Sequence, residues 1–459
     1  MKNWLEKLLA RLWNRRARRS KGSVSGRALD FGAQVVDGEV ISHRVAVGQG
    51  RRAEHLAVLG KTGSGKSFLL RHLATQDIEG GRGFAYFDLH GDATRFLVET
   101  VATHERTLKQ DLSDRLILVE PADSKVSVGI NPLEGPSAND RFVQVAEFAQ
   151  VLRQRWHLDS FGARTDELLR NSLYVLAENG LTLVELAPLL THSAFRTACL
   201  EKLANAEVRQ YFELRYDQAS EPMRTTMREP ILNKTSAFTG DPRFRHIVGQ
   251  QHSTLSLLEA MDRGYWIIFN LDKGRLGEQA MTLGGLFLTA IKSALFSRAS
   301  RQLFTLYCDE IQNLVAFGTG LEVILSEARK FGISVVSANQ FLDQYPSEMR
   351  AAILAVGTHI FFQLSSSDAQ QIAAALDGGK PLAEILKNLS RRHMVLKTGH
   401  ERWREAVVPT VHEPKVDPHD LLARSRARWA RNRSDIEEEI RVRQAVINRS
   451  KAEALNDWE

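Results

Sequence analysis

Leu56-Ala-Val-Leu-Gly60-Lys-Thr-Gly-Ser-Gly-Lys66-Ser67-Phe-Leu-Leu-Arg-His-Leu-Ala74 is the stretch whose reading decides the fold. Its four leading apolar residues predict a buried strand, and Phe68 to Ala74 predicts the opening of a helix. Between them the residues spell G-x-x-x-x-G-K-[ST]. Glycines let such a loop curl until successive backbone N–H groups face one concavity, which the helix N-terminus completes. The concavity suits the phosphates of a nucleotide. Gly60, Lys61, Thr62, Gly63, Ser64, Gly65, Lys66 and Ser67 are therefore the nucleotide-binding candidates. Lys66 is expected to reach the β- and γ-phosphates, and the Ser67 hydroxyl to ligate Mg²⁺.

A loop of this kind needs an acidic partner. Leu303-Phe-Thr-Leu-Tyr-Cys-Asp309-Glu310 reads as a strand ending in two carboxylates. Asp309 is expected to hold the water shell of Mg²⁺, and Glu310 to polarise an attacking water. No Asn-Lys-x-Asp guanine signature occurs, so ATP is the expected nucleotide. Downstream, Leu325-Ser-Glu-Ala-Arg329-Lys330-Phe-Gly-Ile-Ser-Val-Val-Ser-Ala-Asn-Gln340 reads as a helix, a glycine turn and a strand. The strand end brings Gln340 to the sheet's carboxyl edge, where it could sense the γ-phosphate. Arg329 closes the preceding helix. It could point into a neighbouring subunit's nucleotide as a catalytic cation, or form a surface ion pair.

Working outward, apolar runs near 84–88 and 115–119, and at 265–271, 333–337 and 359–364, predict further strands separated by helical patterns. Short alternations over 22–54 predict a few more. From about 140 to 255 the pattern is helical. The expected fold is α/β: a mostly parallel sheet flanked by helices, with an all-α domain inserted. This divides the chain into an arm (1–24), a first core segment (25–139), the helical insertion (140–255), a second core segment (256–412) and a charged helical tail (413–459).

The arm carries eight basic residues against one acid within residues 1–21, a charge of +7. The whole chain is +6, so the remainder is −1 and nearly neutral. Trp4, Leu5, Leu8, Leu9, Leu12 and Trp13 form one helical stripe, with the basic residues mostly off it. A partner-docking helix, an anionic membrane surface and nucleic acid all fit such an arm. In the tail, Arg424, Arg426, Arg428, Arg431 and Arg433 precede three glutamates, which reads as a solvated helix with a weak pointer to nucleic acid.

Composition excludes several classes. With 43% hydrophobic and 25% charged residues, the 459-residue chain is neither disordered nor collagenous. Its two cysteines, Cys199 and Cys308, can neither staple a fold nor build a zinc site. They read as small buried hydrophobes in a reducing compartment. The longest apolar candidate for a membrane span, Leu283 to Phe296, reads as too short and is interrupted by Lys292. No secretory signal is expected. The expected location is the cytoplasm, with peripheral contact at the inner face of the membrane through residues 1–21 as its variant.

Taken together, these motifs resemble the HerA–FtsK superfamily of ring ATPases, and within it the conjugative coupling proteins of type IV secretion (TraG/TraD type). The matching pieces are the Gly60–Ser67 loop, Tyr86-Phe-Asp88-Leu-His90-Gly91-Asp92, and Ile130-Asn-Pro132-Leu. Asn270-Leu-Asp-Lys-Gly-Arg-Leu-Gly277, Cys308-Asp-Glu-Ile-Gln312 and Arg329-Lys330…Gln340 complete the set. The resemblance runs over roughly residues 45–410. It implies a RecA-like motor, assembled as a homo-hexamer, that uses ATP and Mg²⁺ to move DNA in plasmid or mobile-element transfer. Secretion or relaxosome proteins would be its partners. It also implies that Asp309 and Glu310 are the Walker B pair, Arg329 a finger acting in trans and Gln340 a coupling residue. His90 and Asp92 would shape the site or pack the second strand. An ATPase energising protein export and an ATP-switched scaffold are the alternatives. An intact Glu310 speaks against the scaffold, which needs no activated water.

Overall fold

The computed structural model describes residues 28–135, 138–155, 162–315, 321–345 and 347–456. The basic arm lies outside the described residues. Thirteen strands are present among them: β1 (Ala28–Val36), β2 (Glu39–Gly48), β3 (Leu56–Leu59), β4 (Phe84–Asp88), β5 (Leu116–Val119), β6 (Val126–Ser127), β7 (Trp266–Asn270), β8 (Phe304–Asp309), β9 (Ile333–Asn339), β10 (Thr358–Phe361), β11 (His393–Thr398), β12 (Arg404–Val407) and β13 (Arg431–Asn432). Eleven of them form one sheet in the order β2-β1-β12-β11-β10-β3-β9-β8-β4-β7-β5. From β10 to β5 all neighbours are parallel. From β10 to β2 all are antiparallel.

The parallel strands are apolar along their whole length because helices cover both faces. Successive residues alternate between the two layers. Tyr86, Trp266 and Ile268 pack with Leu69, Leu70 and Leu73 of helix Lys66–Glu79 and with Phe96 and Leu97 of helix Asp92–Leu108. Phe87, Ile267 and Phe269 face the opposite layer, with Leu283 and Phe287 of helix Gln279–Phe296. Each such side chain, fully buried, contributes about 1.5–3 kcal/mol.

Between β6 and β7 the described residues contain helices and no strand; the longest are Ala138–Arg155, Ala163–Glu178 and Glu221–Thr239. Their apolar faces join the same cluster as the sheet: Leu173, Phe212 and Ile231 share one core with Phe269 and Cys308. Both cysteines are buried and free, as expected.

Three sequence readings need correction. Helix Gln279–Phe296 is longer than read and is apolar enough for a membrane span, but it is mostly buried against the sheet. The antiparallel wing β11–β12 was not legible as strands. The tail is not a solvated helix. Helices His419–Trp429 and Arg433–Asn456 lie on the β5 edge and on the inserted helices. Its arginines are spent inside the molecule. Arg424 pairs with Glu105, Arg426 with Glu120 and Asp123, and Arg431 with Glu439. Arg433 donates to the Pro121 carbonyl, and Arg428 lies over the Trp429 ring.

Candidate nucleotide site

The carboxyl ends of β3, β4, β7, β8 and β9 converge on one crevice. The Gly60–Ser67 loop leaves β3 there, held by its neighbours: Gly60 N donates to the Asn339 carbonyl at 3.1 Å and Lys61 N to that of Gln363 at 2.8 Å. Gly65 has φ 127°, and a Cβ there would sit 3.0 Å from Arg392 Cα and 3.1 Å from the Phe362 ring. Only glycine fits. The Lys66 ammonium turns back into the loop, donating to the carbonyls of Gly60 (2.6 Å) and Lys61 (3.1 Å). Burial lowers its affinity for a proton, and the nearby Asp309 and Glu310 carboxylates partly restore it.

Asp309 and Glu310 end β8 beside this loop. Ser67 Oγ donates to Asp309 Oδ2 at 3.1 Å. Burial pushes the Asp309 carboxyl above its usual range, opposed by the Ser67 hydroxyl and by Lys66. Glu310 adopts φ 53°, a left-handed conformation that costs a non-glycine residue about 1–2 kcal/mol. Such strain persists only where the surroundings enforce it. Gln340, at the end of β9, joins both halves. Its Nε2 donates to Glu310 Oε1 at 3.1 Å, and its Oε1 accepts from Thr62 Oγ1 at 3.1 Å.

Two residues that sequence reasoning did not assign here complete the surroundings of Glu310. Asn313 Nδ2 donates to Glu310 Oε2 at 3.0 Å, and Lys273 Nζ lies 3.7 Å from the same oxygen. His90 Nε2 lies 3.3 Å from it, so His90 shapes the site and is half exposed rather than packed under the second strand. Asp92 opens helix Asp92–Leu108, as the acidic residue of its first turn. The signal for Lys273 was its place just after an apolar strand, since all parallel strands end at this edge. Asn313 lay three residues past Glu310, one turn on.

Arg329 is elsewhere. It sits in the 3₁₀ turn Ala328–Phe331 before β9, at the amino edge, exposed and paired with Glu54 at 3.1 Å. The seven residues of β9 span roughly 23 Å at about 3.3 Å each, so Arg329 cannot reach the Gly60–Ser67 loop of its own chain. Four arginines between β6 and β7 are engaged in ion pairs: Arg224 and Arg228 with Glu221, Arg243 with Asp241, Arg245 with Glu437.

The residues fit a nucleotide and Mg²⁺. Lys66 has backbone carbonyls that a phosphate can replace, and the Ser67 and Asp309 oxygens supply the hard ligands Mg²⁺ prefers in small number. Among the described residues no group of three His, Cys, Asp or Glu side chains forms an alternative metal site.

Comparison with known proteins agrees with this geometry. No curated protein sequence matches the chain. The bacterial conjugative coupling protein TrwBdeltaN70 has the same fold, with TM-score 0.58 and 16% identity over 87% of this chain and 93% of that one. TrwB in complex with the non-hydrolysable ATP analogue ADPNP gives 0.59 and 16% over 87% and 98%. VirB4 of Thermoanaerobacter pseudethanolicus gives 0.54 and 16% over 83% and 96%. At such identities the likeness establishes the fold. Residues 52–288, just over half of the 459, match the family described as "Helicase HerA, central domain". With that match spanning the loop, the inserted helices and β7, the chain belongs to the HerA central-domain family, a HerA–FtsK-type P-loop ATPase fold resembling conjugative coupling proteins.

Proposed function

We propose that this chain is an ATPase that couples hydrolysis to DNA translocation, as a homo-hexameric ring, in plasmid or mobile-element transfer. The observation that carries the reading is the hydrogen-bonded line Thr62–Gln340–Glu310, which ties the phosphate loop to the candidate base through a strand end. In this reading Gly60–Ser67 cradle the phosphates, and Lys66 leaves the Gly60 and Lys61 carbonyls for phosphate oxygens. Ser67 and Asp309 hold Mg²⁺, which when bound neutralises the charge between the phosphates. Glu310 takes the proton of the attacking water, a role worth typically about 10²–10⁴ in rate. Gln340 reports the state of that site to the loop. Arg329, too far from its own loop, serves the neighbouring subunit. Residues 140–255 form the inserted domain between the two core segments. The arm, residues 1–21, brings the ring to anionic membrane.

The test is ATP turnover by the full chain without DNA, with single-stranded and with double-stranded DNA, alongside native mass. Strong stimulation by either DNA is expected, together with a hexameric mass. Turnover indifferent to both DNAs sinks the translocase reading and leaves an export ATPase or an ATP-switched scaffold. Glu310→Gln is expected to bind ATP and hydrolyse it about 10²–10⁴ times more slowly. Wild-type hydrolysis by that variant would remove Glu310 from the chemistry. Flotation of full-length protein with anionic vesicles at low salt tests the arm, and no binding there assigns it to protein or DNA.

A further inference from the structure

The Glu310 carboxylate is contacted from four separate elements. Gln340 holds Oε1. Oε2 faces Asn313, His90 and Lys273. The last two are cations or potential cations from loops that follow β4 and β7, and those loops are stitched together. Leu271 N donates to the Asp88 carbonyl at 2.8 Å and Lys273 N to that of Leu89 at 3.0 Å. Asp88, itself buried, turns the first loop by accepting from the N–H groups of His90 (3.2 Å), Gly91 (3.0 Å) and Thr94 (2.6 Å). Asp272 shapes the second by accepting from Gly274 N at 2.8 Å. Two loops distant in sequence thus form one platform with both basic groups on the same carboxylate oxygen.

We infer that Lys273, with His90, positions Glu310: the pair fixes the outer oxygen while Gln340 fixes the inner one, so the carboxylate is aimed before substrate arrives. This rests on Glu310 being the base. A carboxylate next to that of Asp309 is repelled by it. A cation on the far oxygen draws it toward the β4–β7 side and opposes that repulsion. The Lys273 side chain is 30% exposed and that of Glu310 19%, which keeps the attraction from being fully screened.

The test is steady-state ATP hydrolysis by full-length Lys273→Met, Lys273→Arg and Lys273→Met/Glu310→Gln. Methionine keeps the stem and removes the charge. Lys273→Met is expected to lower kcat about 10- to 100-fold with KM for ATP nearly unchanged, the size typical of residues that orient a reacting group. Lys273→Arg restores most of it. In the Glu310→Gln background the same substitution is expected to add nothing, because there is no carboxylate left to aim. A raised KM with unchanged kcat, an equal loss in both backgrounds, or wild-type turnover each overturns the assignment. Should Lys273→Met melt early, Lys273→Arg against Lys273→Gln decides by the same kcat ratio. Failure of the underlying reading looks different: Glu310→Gln itself would then hydrolyse as fast as wild type.

Discussion

At its carboxyl end β8 presents Asp309 and Glu310 to a crevice beside a glycine loop; at its amino end it presents Thr305 and Tyr307 to Arg52. Both ends are dense in charge, yet they are built oppositely. Arg52 is fully buried, paired with Asp77 and donating to Thr305 Oγ1 at 2.6 Å and Tyr307 Oη at 3.1 Å. Asp77 also accepts from Tyr307 Oη (2.7 Å) and Arg82 Nε (2.7 Å). Every partner there lies within the fold. At the other end Lys66 holds only loop carbonyls, His90 is half exposed and Glu310 stands in a strained backbone conformation. A charged cluster closed on itself is structure; one whose partners can be exchanged, in an opening, is a site.

Arg329 is the strongest way to break that contrast, because it lies at the amino edge. If it serves a neighbouring subunit, Arg329→Ala is expected to cut turnover by about 10³-fold or more. Stability should change by less than about 1 kcal/mol, since its ion pair with Glu54 is exposed. Turnover near wild type, measured beside chemical denaturation, would return the whole amino edge to structure. Next in size is Arg52→Met, which strips one partner from a fully buried ion pair. It should cost about 3–5 kcal/mol, at the low end because Arg82 and Tyr307 still satisfy Asp77. A denaturant midpoint unchanged from wild type would show that this network contributes no net stability.

The smallest effect sharpens the contrast through pH. His55, buried at the amino edge, accepts from Val335 N at 3.0 Å, and burial lowers its pKa to about 4 from an ordinary 6.5. Between those values the unfolded chain binds the extra proton, so stability falls as pH drops from about 6.5 toward 4. At pH 5 the loss is about 2 kcal/mol. His55→Asn keeps an acceptor and tolerates the φ of 66°, and should remove that loss. Denaturation of both proteins at pH 7.5 and pH 5 checks it, and identical pH sensitivity would show that His55 is not the cause.

The parts of this fold visible in the sequence were those written contiguously. Leu56 to Ala74 spells strand, loop and helix in one run, and Leu303 to Glu310 spells a strand with its carboxylates. Gln340 was legible because its strand ends beside them. Lys273 and Asn313 were not, since what brings Lys273 to Glu310 is that β4 and β7 lie next in line to β8. Strand order is a property of the sheet and leaves no local mark. The tail arginines misled for the converse reason. A run of Arg looks solvent-facing until the acidic partners, Glu105, Glu120 and Asp123, arrive from three hundred residues earlier.

That strand order has a consequence for how the chain comes off the ribosome. β3, β4 and β5 are all made within the first 119 residues, yet none pairs with another: β3 lies between β10 and β9, β4 between β8 and β7, and β5 against β7. The emerging Leu-Ala-Val-Leu, Phe-Ala-Tyr-Phe-Asp and Leu-Ile-Leu-Val segments must wait for neighbours encoded after the helical insertion. At about 5–20 residues per second, translation leaves them unpaired for roughly ten to fifty seconds. For that interval the nascent protein is a set of apolar strands with empty places between them, the exposed surface and unpaired edges through which chains associate wrongly.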